Sequence, residues 1–212
     1  MKNRKLRKIL LTICSAMLLV CLSVSATVAY LTSSAEVKNT FTAGKVQIKL
    51  DEAKANTDGT LVEGADRVKA NTYKLLPGHT YNKDPMVTVL KGSESCYIKL
   101  NVVVTKSAEL DAIGVDLLTT FKGYDSVNWI YKGNTEDTTA NTRTYEFWYK
   151  GTVAAPDADV ALDALFDQIV VPGTITNAQL ATIEGMTITI TAHAIQADGF
   201  ADAAAAWAAY TK

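Results

Sequence analysis

Hydrolytic catalysis needs a general base, an activated nucleophile or a metal, and this chain offers few residues for any of these roles. Its only two histidines are His79, in the turn Leu75-Leu76-Pro77-Gly78-His79-Thr80, and His193, on the polar side of a strongly alternating segment. No His-Glu-x-x-His occurs, and no histidine pair at helical spacing could hold zinc. There is no Gly-x-Ser-x-Gly elbow, and Cys96 has no histidine near it in sequence. The acidic residues Asp58, Glu63, Asp66, Glu136 and Asp137 are scattered over polar stretches without the alternating Asp/Asn spacing of a calcium loop. Trp129, Trp148 and Tyr149 could stack on a sugar ring, although aromatics in strands usually serve as core or cross-strand pairs. The expectation is a chain with no catalytic residue, no metal ligand set and no cofactor.

The beginning of the chain carries a clearer signal. Lys2, Arg4, Lys5, Arg7 and Lys8 supply five positive charges, and Ile9 to Val28 then runs without a charged residue. This is the charged and apolar pattern of a secretory signal. The run is long enough for an uncleaved anchor at ~20 residues. It is, however, diluted by Thr12, Ser15, Ser23, Ser25 and Thr27, and it ends in Val24-Ser25-Ala26 and Thr27-Val28-Ala29, small-residue junctions that a signal peptidase accepts. A cut after Ala26 or Ala29 is expected, with no stable membrane anchor afterwards. Ile13 and Val20 precede Cys14 and Cys21, so a lipoprotein junction is not expected.

Removing residues 1–29 takes five of the 21 basic residues and none of the 22 acidic ones, leaving 16 against 22 and a net charge of −6. That balance gives no basic face for nucleic-acid phosphates. It also leaves Cys96 as the only thiol. Within Cys96-Tyr97-Ile98-Lys99-Leu100 it is expected to be a buried small hydrophobe rather than a disulfide partner.

What must carry any function is a heavily β domain. Runs rich in Val, Ile, Thr and aromatics, separated by Gly, Pro, Asn and Asp, predict strands near Val46–Leu50, Met86–Leu90, Tyr97–Thr105, Val127–Tyr131, Thr144–Lys150, Ile169–Val171 and Met186–Ile195. In the last of these, Met186, Ile188, Ile190, Ala192 and Ala194 share a face opposite Thr187, Thr189, Thr191 and His193. Ile98, Leu100, Val102 and Val104 likewise alternate with Lys99, Asn101 and Val103, the pattern of a central strand. Alternating strands of this kind predict an all-β fold, a two-sheet antiparallel jelly-roll-like β-sandwich. Short helices are expected at Asp159–Phe166, at Asn177–Ile183 with Thr176 as N-cap, and at Ala201–Tyr210, docked through Phe200, Trp207 and Tyr210. The polar stretches Glu52–Thr72 and Gly133–Thr142 are expected to be loops, the first loosely ordered.

The chain resembles the TasA/camelysin-like family of exported proteins that carry a SipW-type signal peptide. The resemblance rests on Ala26-Thr27-Val28-Ala29-Tyr30-Leu31-Thr32 and on Glu36 to Glu52. Further matches are Leu76-Pro77-Gly78 before Lys83-Asp84-Pro85, Tyr97-Ile98-Lys99-Leu100, and Ile188 to Gln196. It implies a jelly-roll domain at the cell surface or in the biofilm matrix of a Gram-positive-type bacterium, processed between Ala29 and Tyr30. It also implies partners in the signal peptidase and in copies of itself or a related matrix subunit. Some relatives carry a metallopeptidase label; a site for it would need histidines that this chain lacks.

Cleavage after Ala29 would expose a period-two segment. Leu31, Ala35, Val37 and Phe41 fall on one face with Ser33 and Asn39, and Tyr30, Thr32, Ser34, Glu36, Lys38 and Thr40 on the other. Such a strand pairs either with its own domain or with the sheet edge of a neighbour. The expected organisation is a signal peptide over 1–29, an exposed segment and donor strand over 30–44, and the sandwich with its C-terminal helix over 45–212.

Overall fold

The computed structural model describes residues 2–26 and 44–210. The chain divides into two compact units, one ending at Thr42 and the other starting at Ala43. In the first, α1 spans Lys2–Ala26 and covers the basic start and most of the uncharged run. Hydroxyls inside that run are satisfied by the helix itself: Thr12 Oγ1 donates to the Lys8 carbonyl at 2.7 Å and Ser15 Oγ to that of Thr12 at 3.0 Å. Among the described residues no helix is long and apolar enough to cross a membrane.

The second unit is mostly antiparallel β-structure with short helices. In chain order its elements are β1 (Ile48–Asp51), β2 (Thr80–Asn82), β3 (Met86–Val89), β4 (Ser93–Thr105), α2 (Ser107–Ala112), α3 (Leu117–Thr120), β5 (Phe121–Lys122), β6 (Trp129–Asp137), β7 (Thr142–Tyr149), β8 (Val153–Ala155), β9 (Val160–Ala161), β10 (Gln168–Val170), α4 (Asn177–Thr182), β11 (Ile188–Gln196) and α5 (Ala203–Ala209). The ladders form three sheets where two were expected: β1-β3-β9, β2-β10-β5, and β11-β4-β7-β6 with β8 also paired to β4.

The thirteen-residue β4 is the centre, as its alternation predicts. Cys96, Ile98, Leu100, Val102 and Val104 are at most 1% exposed and face the core, while Lys99, Asn101 and Val103 face outwards. On one side β4 pairs with β11 from Cys96↔Gln196 to Val104↔Ile188, and on the other with β7 from Lys99↔Trp148 to Thr105↔Thr142. The core-facing row of β11, Ile188, Ile190, Ala192 and Ala194, packs on the same cluster, joined by Val87, Val89, Trp129, Tyr145 and Phe147. Burying that apolar surface is what holds the sheets together, at about 25 cal/mol per Å².

Two expectations are corrected. The segment Asp159–Phe166 is not a helix; it forms β9 and then an irregular stretch whose backbone ties into the core, Leu162 N–H donating to the Val87 carbonyl at 2.8 Å and Leu165 N–H to that of Pro85 at 3.1 Å. Leu162, Leu165 and Phe166 are all buried, and their spacing of three and one imitates a helix face. Gly133–Thr142 is not a loop, because β6 continues to Asp137 and β7 begins at Thr142, leaving only a tight connection. The ladder carries a bulge between Tyr131 and Gly133, where Gly133 has φ +120°. That ribbon end packs against the polar side of α2 through Arg143 and Asn141 rather than against the apolar core, so its strands carry Asn, Thr and charge without an apolar row.

The other two helices are met. Thr176 caps α4 in a full capping box with Gln179, and α5 starts at an Asp202 cap with Trp207 buried and Tyr210 half-buried behind it. Phe200 is half-buried. The short α2 and α3 were not anticipated.

Candidate functional site

Sheet edges decide where this domain can accept another chain. The four-strand run β11-β4-β7-β6 ends in two nine-residue strands, β6 and β11, and among the described residues neither pairs with a further strand on its outer side. The two edges differ in chemistry. β6 is interrupted by the Gly133 bulge and carries Lys132, Glu136 and Asp137, devices that discourage edge pairing. β11, Ile-Thr-Ile-Thr-Ala-His-Ala-Ile-Gln, has no charge, no proline and no bulge in its ladder.

β1 is likewise the end of its own sheet, pairing with β3 from Ile48↔Val89 to Asp51↔Met86. β1 and β11 approach one another across a groove with a cavity of about 550 Å³, lined on its apolar side by Ile48, Leu50, Ile188 and Ile190. Two edges without a partner strand among the described residues, and an alternating apolar lining, are what an extended segment needs: main-chain partners for its N–H and C=O groups and seats for every second side chain.

The polar end of the groove is built by the segment Glu52–Thr72, which is ordered by specific bonds and not loose. Glu52 exchanges backbone hydrogen bonds with Val68 at 2.8 and 2.7 Å. Arg67 Nε donates to Asp51 Oδ1 at 2.5 Å, Nη1 to Asp84 Oδ2 at 2.8 Å, and Nη2 to the carbonyls of Asp51 and Asp84 at 3.2 and 2.8 Å. Asp51 Oδ2 faces the Lys49 ammonium at 2.6 Å. Burial pushes the Asp51 carboxyl up, but the hydrogen bonds from Lys49 and Arg67 outweigh it and hold the group below the usual carboxylate range. Beside this cluster Lys83 Nζ donates to Glu52 Oε2 at 2.6 Å, and Asn71 Nδ2 donates to Glu52 Oε1 at 3.0 Å. At the far end of the segment Gly59 is required: it has φ +89°, and a Cβ there would sit 2.7 Å from the Tyr81 Cα.

The residues singled out for other chemistry fall apart in space. His79 is exposed in its turn, with its ring centroid 6.4 Å from that of Tyr81. His193 is not solvent-facing as expected; it is half-buried, Nδ1 lying 3.0 Å from the Tyr210 hydroxyl where the chain leaves α5. Among the described residues no group of three His, Cys, Asp or Glu side chains converges. Cys96 is fully buried, donates to the Val153 carbonyl at 3.3 Å, and has its thiol pushed up to about 11 by burial. Trp129 is fully buried with Nε1 donating to the Asp163 carbonyl at 3.0 Å. The Trp148 ring is covered by Lys132, whose Nζ lies 4.4 Å from its centroid, so the three aromatics form no shared sugar platform.

The cleavage pair Ala29 and Tyr30 and the donor-strand residues Leu31, Ala35, Val37 and Phe41 lie outside the described residues. Comparison with protein-family models, with characterised protein sequences and with solved structures finds no match for the chain.

Proposed function

We propose that this chain is an exported structural subunit of the bacterial cell surface or biofilm matrix, of the TasA/camelysin-like kind. In this reading its mature form, beginning at Tyr30, is a jelly-roll-like sandwich that polymerises by donating the Tyr30–Phe41 strand to the next subunit. The observation that carries the reading is the β11 edge: nine residues without charge, proline or bulge, bordering a groove shared with β1, both edges without a partner strand among the described residues. A long, unguarded edge invites strand addition. The opposite edge, β6, bears the guards, so a subunit has one acceptor side only. Leu31, Ala35, Val37 and Phe41 supply an alternating apolar row that matches the groove's apolar lining. A head-to-tail contact of this kind does not close on itself and propagates as a filament. Export then times the event, because the donor end is freed only by the cut after Ala29.

The test is sedimentation and negative-stain microscopy of the purified mature chain, of a form lacking Tyr30 to Phe41, of Val37→Asp, and of Thr189→Lys on the exposed row of β11. Fibres from the parent, monomers from the truncation, weakened assembly from Val37→Asp, and loss of assembly with an unchanged melt from Thr189→Lys are expected. Fibres of the truncated chain would refute strand donation. A truncated chain that no longer folds would place the segment as the domain's own first strand.

A further inference from the structure

Lys83, Glu52 and Asn71 form a constellation that the assembly reading does not use. One carboxylate holds an amine on one oxygen, Lys83 Nζ to Oε2 at 2.6 Å, and a carboxamide on the other, Asn71 Nδ2 to Oε1 at 3.0 Å. The Lys83 side chain is 12% exposed and that of Glu52 6%. Every atom of the Asn71 amide that can hydrogen-bond is engaged in a way that fixes its orientation: Nδ2 also donates to the Ala53 carbonyl at 2.8 Å, and Oδ1 accepts from the Ala55 N–H at 2.9 Å. The framework is fixed as well, Glu52 by its two backbone bonds to Val68 and Lys83 by its N–H to the Asp167 carbonyl at 3.0 Å.

These are the parts of an acyl transfer. The nucleophile is an amine beside a base, the electrophile is a carboxamide whose oxygen is polarised by a backbone N–H, and one acid/base group touches both. We propose that Lys83 and Asn71 join in an intramolecular isopeptide bond, with Glu52 as the proton carrier. Glu52 takes a proton from the Lys83 nitrogen along their 2.6 Å hydrogen bond as that nitrogen approaches the carboxamide. The Lys83 nitrogen then attacks Asn71 Cγ, and the developing oxyanion rests on the Ala55 N–H. As the tetrahedral species collapses, the bond from Cγ to Nδ2 breaks and the new bond from Cγ to Nζ remains. Glu52 delivers its proton to the departing nitrogen, which also takes the proton the Lys83 nitrogen sheds, and leaves as ammonium through the groove that Glu52, Asn71 and Lys83 line. The balance is one ammonium side chain plus one carboxamide giving one amide plus one ammonium ion; no oxidant or cofactor is needed. The product covalently closes residues 71–83 and pins the Glu52–Thr72 segment to the link between β2 and β3. It does not depend on polymerisation, and it would reinforce the domain as a monomer equally.

The experiment is the mass of the purified chain against the mass dictated by its own N-terminus, followed by tandem mass spectrometry of a digest. Expected is a deficit of about 17 Da, the mass of ammonia, and a branched peptide joining Asn71 to Lys83. Lys83→Arg keeps a cation beside Glu52 but offers a poor nucleophile; it and Asn71→Ala should restore full mass, and Glu52→Gln should restore it or slow its loss to hours. Lys83→Arg provides the test should Glu52→Gln fail to fold. Full mass in a parent chain that melts cooperatively overturns the proposal. So does a 17 Da deficit that survives Lys83→Arg, because it would report cyclisation of an asparagine onto its own backbone.

Discussion

Replacing Arg67 by alanine removes the guanidinium that ties the Glu52–Thr72 segment to the end of β1, and the cost can be worked from its partners. Four hydrogen bonds vanish, two to carboxylates and two to carbonyls. The Asp51 side chain is only 3% exposed and cannot recover water, whereas that of Asp84 is 30% exposed and can. Removing one partner of a buried pair costs about 3–5 kcal/mol when the remaining charge is left alone. Asp51 keeps Lys49, itself 55% exposed, so the expected loss is smaller, about 2–3 kcal/mol, or roughly 4–12 °C in melting temperature for a domain of this size. The pH dependence has a definite sign. The Asp51 carboxyl is held below its ordinary value, so its contribution is present above the unfolded carboxylate pKa of ~3.9 and is lost as pH falls through the lower folded value. Without Arg67 the burial that opposes ionisation is less offset, the folded value rises towards the unfolded one, and the acid-side loss becomes smaller and is complete at higher pH. Melts followed by circular dichroism between about pH 3 and pH 7 would record both effects. Arg67→Ala combined with Asp51→Ala should cost less than Arg67→Ala with Asp51 retained, since no buried charge is then stranded. An Arg67→Ala variant within about 0.5 kcal/mol of the parent at neutral pH, or a double variant worse than the single, would refute the reasoning.

Three further outcomes are expected. In protein lacking residues 1–29, Cys96 should react with an aromatic disulfide reagent only at the rate of unfolding, because its thiol is fully buried and pushed up to about 11; rapid labelling of native protein would contradict this. Thr176→Ala, which removes the hydroxyl half of the α4 capping box and leaves the Gln179 side chain accepting from the backbone N–H of residue 176, should cost about 1 kcal/mol in denaturant unfolding. Trp129→Ala should cost about 3–5 kcal/mol, since it empties a fully buried site and strands the Asp163 carbonyl; a loss below 1 kcal/mol would show the site collapses freely.

The long strands were legible because each keeps an apolar row against the core, most plainly the period-two alternation of β4 and β11; their pairing around β4 is long-range and shows only in the fold. Of the two- and three-residue strands, β2, β5, β8 and β9 contain too few positions for any period to register, and only β10 showed, through the apolar run Ile169-Val170-Val171. The polar half of the β6–β7 ribbon buries no apolar row, its covered side meeting α2 through Arg143 and Asp111, so its sequence carries turn chemistry and no strand signal. Asp159–Phe166 misled in the opposite direction, through a spacing of buried residues that an irregular segment happens to share with a helix.

The groove was only half legible, and the division follows from range. The uncharged alternation of β11 is local information, readable from nine consecutive residues. That β11 ends its sheet, and that β1 ends another beside it, depends on ladders between residues as far apart as Gln196 and Cys96, which no window along the chain contains. The same holds more strongly for the polar end. Glu52, Asn71 and Lys83 are unremarkable as sequence, a glutamate after a strand, an asparagine in a polar stretch and a lysine before Asp-Pro. They meet because Glu52 is fixed by Val68, because Arg67 folds the segment back onto Asp51 and Asp84, and because Gly59 alone tolerates the close approach to Tyr81. If Arg67→Ala loosens that segment as argued above, it should also lower the yield of the Asn71–Lys83 bond without touching any reacting atom. The branched peptide would then fall in step with the melting temperature. A variant that loses stability yet retains the full cross-link would show that the three residues are held by contacts other than the Arg67 tie.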